Sequence, residues 1–134
     1  MDKKAVEEKV ANYRYLEQRH QMLMERRDEI LPRMIEIGGT VEAIAEMEKV
    51  GKSEFLLPLG SGVLVPVEVD PKSKMVMAVG SDVVLEKDLA GIRAELKSRL
   101  DMLGKGLQEI EGEIVKVEET LAALEPELRM LLGK

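Results

Sequence analysis

From residue 88 onward, hydrophobic side chains recur with a period of 3.5 residues. Leu89, Leu96, Leu103, Ile110, Val117, Leu124 and Leu131 stand seven apart, and Leu100, Leu107, Ile114, Leu121 and Leu128 interleave with them. In a chain that is 45% hydrophobic, twelve matches in twelve positions arise by chance about once in 10⁴ trials. This seam predicts a coiled-coil helix over residues 88–132, with Asp88 as its amino-terminal cap. The first third of the chain repeats the pattern more loosely. Leu16, Leu23, Ile30, Ile37 and Ile44 fill one heptad position, and Tyr13, His20, Arg27, Met34 and Val41 the other. A first helix is predicted over residues 4–49, stopped by Gly51. Pro32 removes a backbone donor and is expected to kink or loosen this helix, and Gly38-Gly39-Thr40 to weaken it again. In the second helix Gly104, Gly106 and Gly112 lie off the seam, and Pro126 loosens the final turns.

Between the helices the period changes to 2. Phe55, Leu57 and Leu59 alternate with other residues, as do Val63, Val65, Val67 and Val69, then Met75, Met77 and Val79, and then Val83 and Leu85. Turn signals at Gly60-Ser61-Gly62, Asp70-Pro71-Lys72-Ser73 and Gly80-Ser81-Asp82 divide residues 54–87 into four short strands, or two hairpins. Leu59-Gly60-Ser61-Gly62-Val63-Leu64-Val65 is echoed twenty residues later by Val79-Gly80-Ser81-Asp82-Val83-Val84-Leu85, which suggests two copies of one hairpin tip.

The fold class expected is therefore α+β, a single unit over residues 1–134. Residues 1–50 supply the first coiled-coil helix, 54–87 the hairpins and 88–132 the second helix. The middle segment is long enough to reverse the chain, so the helices should pair antiparallel. Arg19, Arg26 and Arg33 on the first helix, and Glu111, Glu113, Glu118, Glu125 and Glu127 on the second, suit that orientation. Short strands with valines along one face cannot bury that face alone, and their edges stay unpaired. Pro58 and Pro66 fit edge or bulged positions. The strands are thus expected to pair with those of other chains.

Charge narrows the partners. The 134 residues carry a net charge of −6 and 34% are charged, a balance that disfavours a nucleic-acid partner. There is no cysteine, hence no disulfide framework or thiolate chemistry. No apolar run approaches membrane-spanning length, and residues 1–12 are charged, unlike a signal peptide, so cytoplasmic residence is the default expectation. His20, the only histidine, sits on the seam as a packed or partner-bonded ring. Gly60-Ser61-Gly62 lacks the lysine and helix of a phosphate loop, and the glutamates lack the spacing of a carboxylate metal site. No enzyme, metal or cofactor site is expected. Arg27 on the seam is expected to snorkel or to answer a glutamate across the coil. At the open end of the coil, Val6, Val10, Leu124, Leu128 and Leu131 should be partly wet. Leu132 and the outward-facing Met130 add to that apolar tip, and Tyr15, Met22 and Met102 share the outward position.

The segments Leu56-Leu57-Pro58-Leu59-Gly60-Ser61-Gly62-Val63 and Val76-Met77-Ala78-Val79-Gly80-Ser81-Asp82-Val83-Val84-Leu85-Glu86-Lys87, set between heptad helices, resemble the alpha class of archaeal prefoldin. Ser61, Ser81-Asp82 and Leu85 depart from that family's usual turn and packing residues. The resemblance implies a hexamer of two alpha and four beta subunits, in which the hairpins build an inter-subunit β-barrel. It implies an ATP-independent holdase that grips non-native client proteins at its coiled-coil tips and delivers them to a group II chaperonin. The tip residues expected to meet clients are Val6, Val10, Leu124, Leu128, Met130, Leu131 and Leu132. Assembly is expected through Phe55, Leu57, Leu59, Val63, Val65, Val67, Val69, Met75, Met77, Val79, Val83 and Leu85. A filament-forming structural relative is the alternative expectation.

Overall fold

The computed structural model describes residues 2–133. Helix α1 spans Lys3–Val50 and helix α2 spans Leu89–Leu131. Between them run strands β1 (Ser53–Gly60), β2 (Val63–Val69), β3 (Met75–Gly80) and β4 (Val83–Lys87). The helix ends follow from local chemistry. The Asp2 carboxylate accepts the backbone N–H of Lys4 at 3.1 Å and opens α1, a cap the heptad pattern does not signal. Gly51 closes α1 with φ +76° and donates its N–H to the Met47 carbonyl at 3.0 Å. Asp88 caps α2 as expected, accepting the Gly91 N–H at 2.8 Å. Neither Pro32 nor Gly38-Gly39 ends α1, and α2 continues through Pro126. Pro32 and Asp28 are both exposed, so water can take over the carbonyl that the proline leaves without a donor.

The strands form two separate antiparallel hairpins, β1–β2 and β3–β4. Phe55 faces Val67 and Leu57 faces Val65 in the first; Met77 faces Leu85 in the second. The sequence echo is a structural repeat. In each hairpin the register shifts just before the turn, between Pro58 and Gly60 and between Ala78 and Gly80. Leu59 and Val79 are the extra residues of these bulges, which interrupt the strict alternation. Each loop has two central residues of positive φ, Ser61 (53°) with Gly62 (81°) and Ser81 (48°) with Asp82 (62°). Positive φ at both positions is what a type I′ hairpin turn requires. Between the hairpins, Asp70 makes a tight turn: its carbonyl accepts the Ser73 N–H at 2.9 Å and its carboxylate the Lys72 N–H at 3.0 Å.

Packing divides the chain into two compact units: residues up to Met34 together with those from Leu103, and Ile35–Met102. In the first, Leu23, Ile114 and Val117 are buried, and Leu16, Met24, Ile110 and Leu121 pack around them. In the second, Ile44, Leu89, Ile92 and Leu96 are buried, with Ile37, Val41, Met47, Met75 and Met77 against them. All twelve seam positions of α2, and all ten of α1, are buried or half-buried. Within each unit the helices run antiparallel. Lys9 pairs with Glu127 and Arg19 with Glu113 in one; Glu48 pairs with Arg93 in the other, where Ile44 meets Leu96.

The heptad reading misses Ile92. Extrapolating the repeat backward puts Arg93 on the seam, yet Ile92 is 6% exposed and Arg93 reaches out to Glu48 at 2.6 Å. Close to the hairpins the buried face is wider than a coiled-coil stripe, because Met75 and Met77 must also be covered.

Candidate functional site

In the first unit, the start of α1 and the end of α2 bring the expected tip residues together with unequal exposure. Val6, Val10, Leu124 and Leu131 are half-buried, and Leu128 is buried in the seam. Met130 is 84% exposed and Leu132 53% exposed. An open groove of about 670 Å³ lies along α1, floored by Val6, Val10, Ala11 and Tyr15, with Leu132, just past the end of α2, at its side. Lys3, Glu7 and Arg14 rim it. A smaller hollow of about 180 Å³ lies among Tyr13, Leu128, Arg129 and Leu132. The groove thus joins three of the expected residues, Val6, Val10 and Leu132, to Tyr15. Ala11 completes its floor and carries no signal in a heptad pattern. Leu128, 8% exposed, borders the smaller hollow.

Charged side chains clamp this unit in alignment. Lys9 pairs with Glu127, Arg19 with Glu113 at 2.7 Å, and the His20 ring lies 3.5 Å from Glu118. His20 thus faces Glu118 across the coil. Arg27 instead pairs with its neighbour Asp28 at 3.4 Å, because that carboxylate is within reach on the same helix. Glu125 is taken by Arg129 one turn later, at 2.6 Å. Exposed pairs of this kind select register more than they stabilise, at a few tenths of a kcal/mol each.

The hairpins of the second unit carry the other surface. Phe55, Val65, Val67, Val69, Met75, Met77, Val79 and Leu85 are half-buried, whereas Leu57, Leu59, Val63 and Val83 are exposed. Met75 and Met77 owe their cover to the Ile44–Leu89–Ile92–Leu96 cluster. A period of 2 assigns the intervening positions to solvent, yet Leu56 (59% exposed), Leu64, Val76 (65%) and Val84 are large and apolar. Register puts Leu56 with Pro66, Pro58 with Leu64, and Ala78 with Val84, so the second face of each hairpin is also apolar toward its turn, while Glu54 faces Glu68 and Glu86 faces Val76 farther from it. Two-stranded sheets with apolar faces and free outer edges are marginal on their own in water.

Among the described residues, no group of histidines, cysteines or carboxylates is arranged to hold a metal ion. No helix among them is long and apolar enough to cross a membrane.

Antiparallel long helices, a buried seam and twin hairpins between them define an α+β coiled-coil subunit of the prefoldin type. The family model described as prefoldin subunit matches residues 16–134, and the chain belongs to the prefoldin family, whose members are non-enzymatic chaperone subunits. The chain is 37% identical over 89 residues to a prefoldin subunit alpha of Methanococcus vannielii, covering 66% of this chain and 61% of that one. It is 28% identical over 128 residues to a prefoldin subunit alpha of Archaeoglobus fulgidus, covering 90% and 93%. The filamentous PFD of Methanocaldococcus jannaschii, solved by cryo-EM, superposes with a TM-score of 0.70 at 17% identity, over 90% of this chain and 98% of that one. At that identity the likeness speaks to the fold.

Proposed function

We propose that this chain is the alpha-type subunit of an ATP-independent holdase that works in the cytoplasm. Its hairpins join those of prefoldin beta subunits in an α2β4 hexamer built on an inter-subunit β-barrel. Its coil tip grips non-native proteins and passes them to a group II chaperonin. The observation that carries the reading is the apolar tip, where Leu132 stands in solvent beside an open groove lined by Val6, Val10 and Tyr15, and Met130 is exposed on the last turn of α2. Apolar surface concentrated in one place favours a contact role. Methionine's flexible thioether suits contact with varied sequences. The hairpins support the assembly half, since apolar residues on both their faces lack cover within the chain.

Deleting residues 1–10 and 122–134 should abolish suppression of client aggregation while leaving the oligomer, weighed by native mass spectrometry, unchanged. Undiminished suppression by the shortened chain would contradict the tip assignment. A second reading, a filament-forming structural protein, draws on the filamentous M. jannaschii neighbour. Electron microscopy of the purified chain separates the two: the hexamer reading expects small oligomers at most, the filament reading long polymers.

A further inference from the structure

The chain has nine methionines and no cysteine, so its oxidisable sulfur is entirely thioether. The structure sorts these methionines sharply. Met130 is 84% exposed, Met102 71% and Met22 50%. Met24, Met34, Met47, Met75 and Met77 are half-buried, and three of them, Met47, Met75 and Met77, pack against the Ile44–Leu89–Ile92–Leu96 cluster. Among the described residues, the most exposed methionine therefore belongs to the tip, and the methionines that support the hairpins are sheltered.

We propose that Met130 Sδ is an oxidation site through which oxidants of the peroxide class weaken the tip's hold on non-native chains; this rests on the holding function proposed above. The sulfur lone pair attacks one peroxide oxygen and the O–O bond breaks as the S–O bond forms. Sulfur gives up two electrons, and the departing hydroxide takes the remaining proton and leaves as water. A flexible apolar side chain becomes a polar sulfoxide. On the exposed last turn of α2, that change removes apolar area a bound client would cover. Because sulfoxide is reducible, the change can be reversed. Access to the thioether sets the order of reaction, so Met130 and Met102 react first, Met22 next, and Met75 and Met77 last. Mild oxidation then lowers client capture with assembly intact, and only harsher oxidation reaches the hairpins.

The test treats the assembled full-length protein with graded hydrogen peroxide. It reads each methionine by peptide mass spectrometry, assembly by native mass spectrometry, and capture by suppression of aggregation of a chemically unfolded test protein. Every variant is compared with itself before peroxide. At a dose that oxidises Met130 but spares Met75 and Met77, the parent should lose about three- to tenfold in capture. Met130→Leu should keep most of its own starting capture at that dose, and Met102→Leu should lose as much as the parent. Oxidation of Met75 and Met77 as early as Met130 would overturn the proposal. So would a Met130→Leu protein as sensitive as the parent. Failure of the untreated protein to capture anything overturns the holding function itself, and with it the capture half of this inference; the reaction order then judges the chemical half alone.

Discussion

Among single side chains, burial rather than hydrophobicity separates what holds the fold from what meets partners. Leu23 and Met22 are sequence neighbours, yet Leu23 is 3% exposed against Ile114 and Val117 while Met22 is 50% exposed. Leu23→Ala should destabilise the protein by about 2–3 kcal/mol, removing transfer energy and leaving a gap in a thin seam. Met22→Ala should stay within about 0.5 kcal/mol. Urea titration followed by circular dichroism checks both, and equal effects would mean that the seam is not where the heptads put it. The seam was legible because neither a strand nor a short surface helix sustains a 3.5-residue repeat over six heptads. Ile92 was not, because the repeat gives way where the hairpin methionines need cover. Nor was Arg27's choice of Asp28, which depends on side-chain reach that periodicity does not encode.

The elements are specified by their punctuation as much as by their periods. Asp2, Gly51 and Asp88 set three helix ends through hydrogen bonds that can be named. Glycines inside α2 then play opposite roles. A Cβ on Gly91 would sit 2.9 Å from the capping oxygen of Asp88 and 3.3 Å from the Lys87 side chain, whereas at Gly112 it would meet nothing within 4 Å. Gly91→Ala should therefore disturb the cap and cost about 1 kcal/mol, despite alanine's better helix propensity. Gly112→Ala should stabilise by up to about 1 kcal/mol. Melting temperatures moving in opposite directions would bear this out; a rise for both would remove any special role for Gly91. The hairpins repeat this lesson. Their turns were readable from the glycine and serine pairs. The bulges at Leu59 and Val79 were not, since a bulge adds a residue without changing composition. The apolar second face was hidden for a different reason: a period of 2 takes one face as the buried one, while Leu56, Leu64, Val76 and Val84 lie exposed on the other.

For the protein as a whole, the two apolar surfaces call for different partners. The hairpins need neighbours that stay, because their strands have free edges and uncovered faces. On the holding function proposed above, the tip needs contacts that can let go, and its few exposed residues make each grip weak. Several such tips joined in one assembly raise the effective concentration, so avidity of roughly 10²–10⁴ can turn weak single grips into capture while still permitting release. Family membership, established by the match over residues 16–134, agrees with a chaperone subunit. The most direct measurement places a photo-crosslinking residue, one variant at a time, at Val10, Leu132 and Val76 in the assembled protein and illuminates it with an unfolded client present. Crosslinks to client from Val10 and Leu132, and crosslinks only to other subunits from Val76, are the result predicted here. Client captured at Val76, with none at Val10 or Leu132, would contradict it.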